Sequence, residues 1–247
     1  MALRSFGDGA LFAESFGEGS PKVLALHGWG RRGADFKASL DGVPALALDL
    51  PGFGSSPAPE AVIGADGYAE LISDVLIEFS APPVVVGHSF GGRVAVCLAV
   101  RYPDDVGPLI LTGVPLLRRV APSKPALGYR VVRAFHKAGI ISDSRMEAEK
   151  RKRGSADYRA ATGVMRDILV KVVNEDYPEQ LKALRSEVRM LWGAADTEVP
   201  VDVANRALKM INESGGKASL ETLDDVGHHV PLQAPDALRT MIQAAMR

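Results

Sequence analysis

The stretch Val84-Val85-Val86-Gly87-His88-Ser89-Phe90-Gly91-Gly92-Arg93 decides how the rest of the chain is read. Three consecutive valines suit a strand buried on both faces. Gly-x-Ser-x-Gly follows, and then a helical pattern carrying Val94, Val96 and Leu98. A serine on a sharp turn between strand and helix is held in a strained backbone conformation that exposes its hydroxyl. Gly87 and Gly91 are needed because a side chain at either would collide across the turn. The helix start adds backbone N–H groups and a positive dipole end, aimed where negative charge develops on a substrate oxygen. Ser89 is therefore a candidate nucleophile.

On either side of this segment, short apolar runs recur, each followed by turn residues and a helical pattern, which is the rhythm of parallel strands joined by crossover helices. The runs are Val23 to Leu26, Ala45 to Leu48, Val84 to Val86, Leu109 to Leu111, Val188 to Leu191 and Leu220 to Leu223. Most are apolar on both faces, which predicts an α/β fold with a mostly parallel sheet covered by helices. Leu3 to Phe6 and Ala10 to Phe16 flank Gly7-Asp8-Gly9 and predict an antiparallel edge hairpin. Helices are predicted over Gly67 to Phe79, Gly91 to Arg101, Val201 to Ile211 and Pro235 to Met246.

One stretch breaks the rhythm. Residues 116–186 hold no convincing strand, and Val164, Ile168 and Val172 fall on one helix face. We expect residues 1–115 and 187–247 to form a core domain, and 116–186 a helical lid over the carboxyl edge of the sheet, where ligands of open α/β sheets bind. Residues 116–186 carry 16 Lys and Arg against 8 Asp and Glu, whereas the remainder carries 13 against 22. The basic run Lys150-Arg151-Lys152-Arg153 reads as a solvated helix end or as a surface for an anionic substrate or partner.

The 247 residues, 47% of them hydrophobic, are enough for a large core. A net charge of -1 argues against whole-surface attraction to nucleic acid or an anionic membrane. The one cysteine, Cys97, cannot form an internal disulfide; it reads as a small buried residue, and no CxxC or His-rich tract suggests a metal site. The N-terminus lacks a signal-like apolar stretch, and nothing reaches the roughly 18 apolar residues of a membrane span. A cytoplasmic location is expected.

The strand, Gly-x-Ser-x-Gly and helix together resemble the α/β-hydrolase fold family, in its serine esterase branch, over nearly the whole chain except the lid. The resemblance implies a chain order of serine, acid and histidine, with no cofactor. Val226-Gly227-His228-His229-Val230-Pro231 is similar to the family's Gly-His loop, which makes His228 the candidate base and His229 its competitor. Gln233 stands where many relatives carry glutamate. Leu191-Trp192-Gly193-Ala194-Ala195-Asp196-Thr197-Glu198-Val199-Pro200 matches the acid turn and points to Asp196. Glu198 and Asp202 are nearby alternatives, with Asp202 better placed to cap the next helix. Thr112-Gly113-Val114-Pro115 offers no carboxylate after the preceding strand. The separations of 107 residues from Ser89 to Asp196 and 32 from Asp196 to His228 leave room for the lid and for one βα unit.

Leu26-His27-Gly28-Trp29-Gly30 resembles the family's oxyanion loop, which implies that the backbone N–H groups of Trp29 and Phe90 face the developing oxyanion. His27 is expected to brace this loop. Asp49-Leu50-Pro51-Gly52-Phe53-Gly54-Ser55-Ser56 matches a structural turn of the family. Trp29, His88, Phe90 and His229 are candidate substrate contacts, although His88 should point away from the nucleophile. A serine in the elbow removes the haloalkane dehalogenase and epoxide hydrolase branches, which use aspartate. What remains is hydrolysis of a carboxylic ester, thioester or lactone. The alternatives are an enzyme like the pimeloyl-[acyl-carrier protein] methyl ester esterases, whose acidic carrier would suit a basic lid; a cofactor-free haloperoxidase, perhydrolase or carbon–carbon bond hydrolase; and a non-enzymatic small-molecule receptor.

Overall fold

Each run predicted as a strand forms one in the computed structural model, which describes residues 2–118 and 156–247. Strands β1 (Ala2–Phe6) and β2 (Leu11–Phe16) make the expected antiparallel hairpin. They are followed by β3 (Val23–Leu26), β4 (Ala45–Asp49), β5 (Val84–His88), β6 (Leu109–Thr112), β7 (Val188–Gly193) and β8 (Ala218–Leu223). All eight join one sheet in the order β1-β2-β4-β3-β5-β6-β7-β8, parallel from β4 onward.

The apolar runs explain why this sheet has a core on each side. Alternate residues of a strand face opposite ways, so Leu24, Leu26, Val85 and Leu109 enter one hydrophobic cluster while Val23, Ala25, Val84 and Val86 enter the other. Helices α1 (Ala65–Ile72), α2 (Phe90–Arg101) and, further on, α6 (Val201–Glu213) cover the first face. Val230 of α7 (Val230–Gln233) and Leu238 and Ile242 of α8 (Pro235–Ala245) cover the second. After β3 the chain steps to β4 on one side, and the next strand, β5, pairs with the other side of β3. Loops leaving the carboxyl ends of β3 and β5 therefore diverge, and that crevice is where open α/β sheets place ligands.

Two helices differ from expectation for local reasons. The helix expected to run to Phe79 stops at Ile72 and continues as a tighter 3₁₀ turn over Ser73–Glu78. Ser73 Oγ donates to the Glu70 carbonyl at 2.8 Å, the side-chain back-bonding that weakens a helix from inside. Asp202 does not cap α6: Pro200 holds that position and no side chain bonds the helix end, so Asp202 sits in the first turn, 3.9 Å from Arg206.

Between β6 and β7 no strand occurs among the described residues, and three helices are seen, α3 (Ala156–Ala160), α4 (Gly163–Val172) and α5 (Pro178–Ala183). Residues 119–155, with the basic run at 150–153, lie outside the described residues. Ile168 and Val172 are buried against the core as their spacing predicts. Arg93 of α2 ties α4 down. Its buried guanidinium donates to the carbonyls of Pro115 and Val172 and lies over the Tyr177 ring at 5.6 Å. Burial pulls the pKa of Arg93 below its usual value, opposed by Tyr177 and Glu175. Glu175 in turn accepts from Tyr177 Oη at 2.5 Å and from the Ala65 N–H at 3.1 Å.

Candidate active site

Ser89 stands at the end of β5, next to the crevice, with φ 50° and ψ -113°. A non-glycine residue there is strained, and such strain persists only where the surroundings hold it. The Ser89 N–H donates to the Thr112 carbonyl at 2.9 Å, and its carbonyl accepts from Gly92 at 3.1 Å. The flanking glycines allow the turn: a Cβ on Gly87 would lie 2.4 Å from Gly92 Cα, and one on Gly91 would lie 2.2 Å from the Leu26 carbonyl oxygen. Gly91 also donates to the His27 carbonyl at 3.0 Å. These contacts press the elbow against the β3 loop, where a Cβ on Gly28 would lie 3.3 Å from that of Ser89.

The acid loop follows β7. Trp192, fully buried, donates its indole N–H to the Val199 carbonyl at 2.8 Å and closes the loop. Within it Asp196 is buried; its Oδ1 accepts from the N–H groups of Glu198 and Val199 at 2.9 and 2.8 Å. The loop after β8 is drawn alongside, because Ala194 and Ala195 donate to the carbonyls of Leu223 and Val226. Only glycine fits at 193, since a Cβ there would meet the Val226 carbonyl oxygen at 2.2 Å. His228 is thereby delivered to Asp196, and Nδ1 stands 2.9 Å from Asp196 Oδ2. Both side chains are almost fully buried, and an imidazole that donates its Nδ1–H to a carboxylate carries its lone pair on Nε2. The ring is seated on Gly113, the residue after Thr112, whose carbonyl anchors the Ser89 N–H.

The other histidines divide clearly. His27 Nδ1 donates to the Gly28 carbonyl at 2.7 Å and Nε2 accepts from the Leu50 N–H at 2.9 Å, which ties the β3 loop to the end of β4. Burial lowers its pKa to about 4. His88 is buried with Nδ1 3.0 Å from Thr112 Oγ1, and burial, then the charges of His228 and His229, hold it well below the usual imidazole range. His229 is partly exposed and packs its ring on those of His88 and His228, at 5.7 and 5.3 Å. His88 and His229 both line a small recess with His27, Arg31 and Phe36.

Trp29 and Phe90 meet edge to face at 5.3 Å. Among the described residues, neither of their backbone N–H groups donates to a protein acceptor. Phe53 packs on Trp29 at 4.9 Å and Tyr68 on Phe90 at 4.9 Å, so the wall is a cluster of four aromatic rings. The sequence reading missed Phe53, Tyr68, Met165 and Asp157 as neighbours of the site. Met165 of α4 fills the space over Gly52 and stands 3.9 Å from Tyr68 Oη. A Cβ on Gly30 would lie 3.8 Å from the Asp157 carboxylate of α3. Phe53 carried a signal, since its turn leaves the same sheet edge as Trp29; Tyr68, Met165 and Asp157 had none.

Residues 23–240 match the Alpha/beta hydrolase family. A 105-residue stretch is 40% identical to the pimeloyl-[acyl-carrier protein] methyl ester esterase of Chromobacterium violaceum, but it spans only 41% of this chain and 39% of that protein. Lipase LipV of Mycobacterium tuberculosis is 29% identical over 96% of this chain and 97% of its own. Among solved structures, the thioesterase domain from the curacin biosynthetic pathway superposes with a TM-score of 0.69 at 20% identity, covering 98% of both chains.

Proposed function

The chain belongs to the α/β-hydrolase family, and from that premise we propose that it is a serine hydrolase cleaving carboxylic esters through Ser89, His228 and Asp196. The observation that carries the reading is the buried His228–Asp196 hydrogen bond of 2.9 Å, seated beside the strained turn that carries Ser89. A serine hydroxyl is a poor nucleophile until a base takes its proton, and an imidazole whose Nδ1–H is held by a carboxylate is suited to do so.

In this reading His228 Nε2 removes the Ser89 Oγ proton as Oγ bonds to the ester carbonyl carbon. The N–H groups of Trp29 and Phe90 donate to the resulting oxyanion, each contributing about 3 kcal/mol. The imidazolium passes its proton to the departing alkoxide, and water, activated by the same base, releases the acid from the acyl-enzyme. The four-ring wall favours an apolar acyl group. Residues 116–186 serve as a lid, supported by Asp157 and Met165 reaching the rim of the site.

The test is turnover of p-nitrophenyl esters of rising acyl length, with Ser89→Ala as the blank. The native chain turns over at least one ester, and Ser89→Ala and His228→Ala each lose on the order of 10⁶-fold. A flat zero across the panel, or retained activity in Ser89→Ala, overturns the reading.

The stretch 40% identical to the carrier-protein methyl ester esterase favours a second reading, in which the substrate is a carrier-bound ester approached by the basic segment 116–186. Under it, added salt weakens turnover of a carrier-bound methyl ester but leaves a free ester unchanged. Equal salt response excludes it.

A further inference from the structure

We propose that Arg93 is a positioning residue that holds α4, and with it Met165, in register with the turn carrying Ser89, and so sets the length of acyl chain the site accepts. The proposal rests on the reading of Ser89 as nucleophile and of the aromatic wall as its acyl site. Arg93 lies about one turn into α2 from Ser89 and is 7% exposed. Its Nε donates to the Pro115 carbonyl at 3.1 Å, its Nη1 donates to the Val172 carbonyl at the end of α4, and its guanidinium lies over the Tyr177 ring at 5.6 Å. Pro115 comes two residues after Gly113, the seat of the His228 ring. One fork thus refers the nucleophile helix, the histidine seat and α4 to one another.

Adhesion alone does not call for an arginine here. Ile168, Leu169 and Val172 already bury one face of α4 in the core, and a buried guanidinium loses solvation that apolar packing never has to forfeit. What apolar contact lacks is direction. It leaves a helix able to slide and roll, whereas two hydrogen bonds from a planar fork fix where the Val172 carbonyl stands. Met165 precedes Val172 by seven residues, two turns on the same face, so it sits about 10 Å along the helix and moves with that carbonyl.

A second chain of contacts ends on the same methionine. Glu175 accepts from Tyr177 Oη at 2.5 Å and from the N–H of Ala65, the first residue of α1, at 3.1 Å. Three residues on, Tyr68 has its Oη 3.9 Å from Met165 Sδ and its ring 4.9 Å from that of Phe90, the neighbour of Ser89. Met165 is therefore fixed from two directions, by Arg93 through α4 and by Glu175 through α1. In this arrangement an acyl chain running along the wall from Ser89 ends on Met165.

The experiment is kcat/KM for p-nitrophenyl esters from acetate to dodecanoate with the native chain, Arg93→Met, Arg93→Lys and Met165→Ala, beside urea unfolding of each. The native profile rises to a best length and falls beyond it. Arg93→Met lowers the ratio of the best ester to the ester two carbons longer by about 10-fold, the low end of what a methylene is worth in an apolar pocket. Met165→Ala lowers it as much, and the double variant no further, because both act through one contact. Arg93→Lys keeps the charge without the fork and behaves as Arg93→Met does. A purely structural role scales every ester by one factor, through the folded fraction, and leaves the ratio alone. That result in a folded Arg93 variant, a native profile in Met165→Ala, or a native chain with no fall beyond its best length overturns the proposal. If Arg93→Met does not fold, Arg93→Lys decides by itself. Ser89→Ala separates the failures: if it stays active the reading of the site is wrong, and if it is inactive while the Arg93 profiles only scale, only the role of Arg93 is wrong.

Discussion

The Cβ position of Gly113 lies 2.9 Å from both Nδ1 and Cε1 of His228, so the imidazole occupies the space a side chain at 113 would need. Gly113 also has φ +57°, where any other residue is strained by about 1 kcal/mol. Gly113→Ala should fold but push the ring off Asp196. A displacement of about 1 Å in a catalytic group costs on the order of 10²-fold. Measuring kcat/KM beside urea unfolding checks this; a folded variant with native turnover would show that the ring has room to shift without harm.

Trp192 acts on the acid at a distance. Trp192→Phe removes the donor to the Val199 carbonyl and leaves that buried acceptor unpaired, at a cost of about 1–3 kcal/mol. Turnover should fall with stability, because Val199 N–H is one of the two donors to Asp196 Oδ1. Urea unfolding and kcat/KM on the same samples test the linkage. Lost stability with intact turnover would mean that Asp196 is held without the indole.

His27 makes stability depend on pH. Its folded pKa of about 4 lies below the ordinary 6.5, so the unfolded chain binds a proton there that the native chain refuses. Stability therefore falls as pH drops from about 6.5 toward 4, by about 3 kcal/mol from His27. His88, displaced in the same direction, adds to the loss. Urea midpoints at pH 7 and pH 5 in the native chain and in His27→Gln test the share of His27; an equal drop in both would assign the loss elsewhere.

Much of this was legible in the sequence because it is written in local pattern. The valines of β5, the glycines of the elbow and the Gly-His loop each announce themselves within ten residues. What stayed hidden depends on contacts across the chain. Gly113 looked like an ordinary glycine after a strand, and its need appears only once His228, 115 residues later, is laid against it. Tyr68 and Met165 are apolar residues on helices, and nothing in their spacing tells which of them reaches the rim. Asp202 was misread because a helix-favouring acid near a helix start looks alike in sequence whether it caps or follows the cap.

Asp196 hangs from β7, which has a neighbour on each side, and His228 hangs from β8, which closes the sheet with alternate residues open to solvent. The hydrogen-bonded pair thus straddles the seam between the interior of the sheet and its last strand. Edge strands open locally at lower free energy than the centre. The outermost strand behaves as a fuse: on warming, the pair parts when β8 lifts, while Trp192, one strand inward, keeps its native near-ultraviolet signal. Under the proposed function, ester turnover is then lost before the core melts, and the six residues of β8 rather than the depth of the core set how long it lasts.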